Sequence, residues 1–187
     1  MLTVFSINEP DKWDEIIKCF DDYDVYYLSG YTKAFRFHGD GEPLLFYYEC
    51  NDFKAINVVM KRDIAKDKNF SRKLMEGSYF DITTPYGYGG FLLQGNLTEE
   101  GLRQLNEQYL NYCKENGIIS EFVRFHPMLK NDEVVDDLYD ISRLGMTISM
   151  ALYSREQIWS NLTSKNRNMI RKAKKTGIEI FWGRGLE

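Results

Sequence analysis

Two apolar runs, Leu44 to Cys50 and Ala55 to Met60, stand on either side of Asn51-Asp52. Both are rich in aromatic and branched residues, so they predict adjacent strands of a hairpin or meander. Gly39-Asp40-Gly41-Glu42-Pro43, just ahead, is a turn signal. The stretch Tyr26 to Phe37 before that turn is ambiguous between helix and strand. A sheet begun this way has to bury at least one face, and the rest of the chain supplies the cover.

Leu2 to Ile7 alternates like a short strand. A helix is expected next, capped by Asn8 or Asp11, with Pro10 in its first turn and Trp13, Ile16, Ile17 and Phe20 on one face. Thr98 to Asn116 carries Leu102, Leu105, Tyr109 and Tyr112 at helical spacing, with Thr98 to cap it and Gly117 to end it. Ile118 to His126 reads as a strand stopped by Pro127, and Thr147 to Tyr153 as another. Ser154-x-x-Gln157 is a capping box that opens one long helix, Arg155 to Thr176, closed by Gly177. Ile178 to Trp182 reads as a last strand. Helices interrupting a meandering sheet predict a mixed α/β domain of three layers, without the regular alternation of a doubly wound fold.

The 187 residues suit one domain, or one and a small part of another, and 43% hydrophobic content provides a sizeable core. A net charge of −4 argues against a general nucleic-acid binder. No apolar run is long enough to span a bilayer, and the first residues lack the pattern of a signal peptide. The scattered Cys19, Cys50 and Cys113, with only two histidines, argue against a zinc site or a disulfide framework. A reducing cytoplasm is the expected compartment.

Three stretches carry candidate chemistry. The first is Asp81-Ile-Thr-Thr-Pro-Tyr-Gly-Tyr-Gly-Gly90. Gly87, Gly89 and Gly90 permit positive φ and close approach, and consecutive amides in such a turn can bind an anion. Tyr86 and Tyr88 add flat surface and hydroxyl donors. A packed strand-to-strand turn accounts for the same composition. The second is Glu121 to Pro127. On a strand, Phe122, Arg124 and His126 share one face. Arg124 suits a carboxylate or phosphate, and His126 is a candidate general base. An internal ion pair and a hydrogen-bonded core histidine are the plain alternatives.

The third is the basic helix. Between Arg155 and Gly177 seven cations face only Glu156, which leaves the rest of the chain strongly acidic. Ile158, Leu162, Met169, Ile170 and Ala173 form its apolar arc, and Asn166 falls inside that arc. Arg167, Arg171 and Lys172 belong to the surrounding cationic surface, which either attracts a phosphorylated substrate or is simply a solvated face.

Asp81 with Pro85 to Gly90 resembles a motif of the FemA/FemB/FemX-like proteins, of the acetyltransferase (GNAT) superfamily. Arg124-Phe-His-Pro127 followed by Asn131 resembles that family's strand-end segment. Asn166-Arg167 to Gly177-Ile178 resembles its basic helix and following strand. The matches fall in the family's order and cover roughly residues 79 to 180. The resemblance implies a GNAT-like fold, a central mixed and mostly antiparallel sheet flanked by helices. It also implies a transferase role, moving an acyl or aminoacyl group to an amine, as in peptidoglycan precursors. The donor would be acyl-CoA or aminoacyl-tRNA, with no cofactor held in this chain.

Such proteins carry two acetyltransferase-like halves, so residues 1–185 are expected to be the N-terminal half. Leu186-Glu187 would be the trace of a cloning site, and a C-terminal half the missing partner. Tyr86, Gly87, Tyr88, Gly89, Gly90, Arg124, Asn166, Arg167, Arg171 and Lys172 would bind an anionic or nucleotide-linked substrate, with His126 moving a proton. Two rivals are a stand-alone acetyl-CoA-dependent N-acetyltransferase, whose pyrophosphate loop has no good match here, and a non-catalytic module for a sugar-linked or anionic ligand.

Overall fold

In the computed structural model, residues 1–136, 138–181 and 183 are described. They fall into two units, divided between Arg143 and Leu144. The first unit contains strands β1 (Leu2–Ser6), β2 (Glu42–Glu49), β3 (Phe53–Asp63), β4 (Phe80–Thr83), β5 (Leu92–Gly95) and β6 (Ile118–Phe122). Helices α1 (Pro10–Lys18), α2 (Ser29–His38) and α3 (Glu99–Glu115) accompany them. The sheet runs β1-β2-β3-β4-β6, with β5 also on β3. All pairs are antiparallel except β4 and β6, which are parallel.

The expected hairpin is the centre of this sheet. Leu45 pairs with Val58 and Phe46 with Asn57. On its other side β3 is shared, Phe53–Ile56 with β5 and Met60–Asp63 with β4. Because both faces of β3 are covered, its middle is buried almost without alternation. One apolar cluster, with Trp13, Ile17, Phe20, Tyr27, Leu45, Ile56 and Val58, packs under α1. The other, with Phe46, Phe53, Val59, Ile82, Leu105 and Tyr109, packs under α3. The result is a mixed α/β unit with a six-stranded sheet between helices.

Local signals explain most boundaries. Thr98 Oγ1 accepts from the Gly101 amide at 3.2 Å, which starts α3. Gly117, at φ +66°, ends it. Helix α1 differs from expectation: its N-cap is Glu9, and neither Asn8 nor Asp11 closes a side-chain cap there. Pro10 at the first helical position needs no donor partner, so the cap is dispensable. The ambiguous Tyr26–Phe37 stretch is mostly helix α2, ended by Gly39 at φ +99°. Strand β6 stops at Phe122 rather than His126.

The second unit consists of α4 (Arg155–Asn161) and α5 (Ser164–Lys175) with extended chain on either side. The single long helix is thus two. Leu162 is extended, and Thr163 Oγ1 accepts from the Asn166 amide at 3.3 Å, which caps a new helix. The apolar period continues across this break and hid it. The Ser154 cap is present, its Oγ accepting from Gln157 at 3.1 Å. Gly177, at φ +79°, follows α5, and the Ile178 amide returns to Ala173 O at 3.2 Å.

The expected strand Thr147–Tyr153 has no ladder partner among the described residues, and Leu144, Met146 and Ile148 are almost fully exposed. Ile178–Phe181 is likewise not a strand. Alternation prepares a chain to pair, but a strand exists only where another backbone accepts its hydrogen bonds. Trp182 and the Leu186-Glu187 ending lie outside the described residues. No helix among the described residues is long and apolar enough to cross a membrane.

Candidate functional site

The parallel pair β4–β6 positions two of the three candidate stretches. Beyond Thr83 the strands stay linked: the Thr84 amide donates to Phe122 O at 3.1 Å. The chain then loops outward through Pro85 to Tyr88 and returns, the Gly89 amide donating to Arg124 O at 2.9 Å. Gly89 and Phe125 form an isolated parallel bridge. The tyrosine-glycine loop and the Arg124 edge therefore meet at the carboxyl ends of parallel strands, where open α/β sheets commonly bind ligands.

The glycines serve close packing as well as conformation. A Cβ on Gly87, at φ +111°, would enter the Tyr26 ring, and one on Gly90, at φ +94°, would lie 2.9 Å from the Phe125 ring. The loop is tied from beneath by Asn131. Its Nδ2 donates to Gly89 O at 2.9 Å and Phe91 O at 3.0 Å, and its Oδ1 accepts from the His126 amide at 2.9 Å. Tyr27 donates to Gly90 O at 3.0 Å. Burial, and then the nearby Asp24 charge, raise the Tyr27 hydroxyl far above its ordinary value, so it stays a donor.

Around the loop stands an aromatic wall. Tyr26 meets Tyr31 and Tyr88 edge-on at 5.2 and 5.7 Å between centroids, and Tyr86 stacks on Phe35 at 5.8 Å. Tyr31 donates to Tyr86 O at 2.7 Å. Tyr86 itself is 73% exposed. A flat, exposed tyrosine on an ordered neighbour offers a stacking surface at low entropic cost.

Arg124 is exposed, and none of the ion pairs formed among the described residues involves it. Its guanidinium is available to an anion. His126, by contrast, is buried, so the strand alternation does not extend to it. With β6 ended, the captured His126 amide and the turn after Pro127 carry the ring inward. The amides of Met128 and Leu129 both donate to its Nδ1 at 3.2 Å. That occupies the lone pair and places the ring proton on Nε2, which donates to Asp24 Oδ2 at 3.0 Å. The ring has no free lone pair with which to take a proton. Its geometry is that of a pin holding the Asp24–Tyr27 turn against the 126–131 turn.

The residues from the basic helix lie in the second unit. Asn166 is exposed, not inside an apolar contact. Arg167 is spent internally: Nη1 donates to the carbonyls of Trp159, Ser160 and Leu162, and Nη2 to Ser164 Oγ. It closes the carboxyl end of α4 onto the start of α5. Arg171 lies 5.3 Å over the Trp159 ring and donates to Asn168. Lys172 is exposed.

Sequence reasoning missed Asp24, Tyr26, Tyr27 and Tyr31. The density of tyrosines beside aspartates in Tyr23 to Tyr31 was the available signal. Asp81 does not reach the site, since Arg62 Nε donates to its Oδ1 at 2.9 Å across β3–β4. The chain matches no protein-family model, no curated protein and no solved structure.

Proposed function

We propose that this chain is the N-terminal, GNAT-like part of a FemAB-type transferase that moves an acyl or aminoacyl group to an amine. In this reading the loop and the Arg124 edge hold an anionic, nucleotide-linked acceptor. The observation that carries it is the meeting of the Tyr86–Gly90 loop with Arg124, which forms no ion pair among the described residues, at the carboxyl ends of β4 and β6. Arg124 takes the phosphate or carboxylate as a bidentate fork. Tyr86 and Tyr88 cover the flat part of the ligand. Asn131, Tyr27 and His126 fix the loop beneath them. Acyl transfer to an amine needs no protein nucleophile, and orienting two bound reactants contributes roughly 7 to 11 kcal/mol. Acyl-CoA and aminoacyl-tRNA are the two donor classes for the reading.

The test is a transfer assay on the chain, offering radiolabelled aminoacyl-tRNA or acyl-CoA with a nucleotide-linked peptide acceptor. Turnover that is lost in Arg124→Ala supports the reading. One observation favours a second reading, a binding module for sugar-linked anions: the only histidine at the site has both ring nitrogens committed. Ligand binding without turnover, also when a C-terminal partner is supplied, selects that module instead.

A further inference from the structure

On the face of the sheet under α3, Glu121 sits in a polar cluster that the loop site does not use. Asn57 Nδ2 donates to its Oε1 at 3.1 Å, and Tyr139 donates to its Oε2 at 3.0 Å. A cavity of about 50 Å³ opens beside them, its wall including Phe91, Asn106, Tyr109, Glu121 and Tyr139. One water needs only about 10 to 15 Å³ by the same measure, so a small polar group fits. Asn57 is 0% exposed, and its Oδ1 has no hydrogen-bond partner among the described residues. Its Nδ2 is already spent on Glu121 and on the Tyr109 hydroxyl at 3.3 Å.

The Glu121 carboxylate, which lines the cavity, therefore has acceptor sites to spare. A carboxylate has about four lone-pair sites, and two donors do not fill them. The group that answers such a site has several N–H donors, no acceptor, a positive charge and small size. A primary ammonium meets all four conditions, and the rings of Phe91 and Tyr109, 5.0 Å apart, favour a cation.

We propose that the cavity between α3 and β6 is a binding site for a primary ammonium group, with the Glu121 carboxylate as its counter-ion. The site is separate from the Arg124 end of the sheet and does not depend on the transferase reading. Binding requires ionised Glu121, so protons compete with the ligand. The other titratable groups facing this carboxylate are Tyr109 and Cys113 of α3 and Tyr139, with Lys61 of β3 next to Cys113. Burial holds the three tyrosine and cysteine groups in their neutral forms at moderate pH, which leaves Glu121 to govern the dependence.

The test is titration of the full chain with methylammonium chloride, followed by amide and side-chain NMR shifts. Saturable shifts centred on Tyr109, Tyr139 and Asn57 are expected. Glu121→Gln should weaken binding by about ten- to a hundredfold, the value of a charge-assisted contact. Tetramethylammonium should fail for size and sodium chloride for lack of donors. If Glu121→Gln does not fold, the wild-type pH series decides: binding must weaken as pH falls through the Glu121 titration. The proposal is overturned by the absence of saturable shifts at these residues, by equal binding of sodium or tetramethylammonium, or by pH-independent affinity.

Discussion

Arg124 and His126 stand two residues apart and answer to different demands. Arg124 is exposed and forms no ion pair among the described residues, so Arg124→Ala should leave stability within about 0.5 kcal/mol of wild type in denaturant unfolding. A larger loss would mean that the arginine is structural. His126 is buried between two amides and Asp24. His126→Ala leaves the two amides without an acceptor and Asp24 without its donor, and should cost about 1 to 3 kcal/mol in the same experiment. Gly87→Ala combines a φ of +111° with collision against Tyr26, and should destabilise by at least about 1 kcal/mol, measured as a drop in Tm. The sequence made Arg124, the glycines and the tyrosines visible by residue type. It could not reveal that both His126 nitrogens are occupied, because the partners come from Asp24, 102 positions away, and from a turn after Pro127.

Strands and helices were legible where their partners were local. The β2–β3 hairpin, α3 with its Thr98 cap and the Ser154 cap all follow from short-range rules. The Thr163 break was hidden by an unbroken apolar period. Thr163→Ala should therefore cost about 0.5 to 2 kcal/mol of helix stability, visible as reduced helical signal in far-UV circular dichroism. Strand β6 carries a second consequence through Glu121. Burial raises its carboxyl above the ordinary 4.5, although Asn57 and Tyr139 donate to it. The raised folded value means that folding favours the protonated form. The stability this supplies is complete below pH 4.5 and is lost as pH rises through the folded pKa. Thermal unfolding should show the Tm of Glu121→Gln rising relative to wild type over that interval. A constant Tm difference would show that the carboxyl is not perturbed.

Taken whole, the first unit is a six-stranded mixed sheet between helices, and its one parallel pair carries the loop and Arg124 at the carboxyl ends. A mixed α/β sheet flanked by helices is legible in the order of elements up to β6, because that part of the order is written in local periodicity. Thr147–Tyr153 shows the limit of such reading: its alternation is clear, yet a ladder depends on a backbone that the segment itself does not contain. The cationic face is also clear in composition, but Arg167 is consumed in joining α4 to α5. In the proposed reading, the anion-holding role centres on Arg124 rather than on Arg167. Calorimetric titration with a nucleotide-diphosphate-linked sugar peptide, on wild type and Arg124→Ala, tests that assignment most directly. Saturable binding that weakens about tenfold or more in the variant is the expected result. Equal affinity of the two proteins, or no binding by wild type, would contradict it.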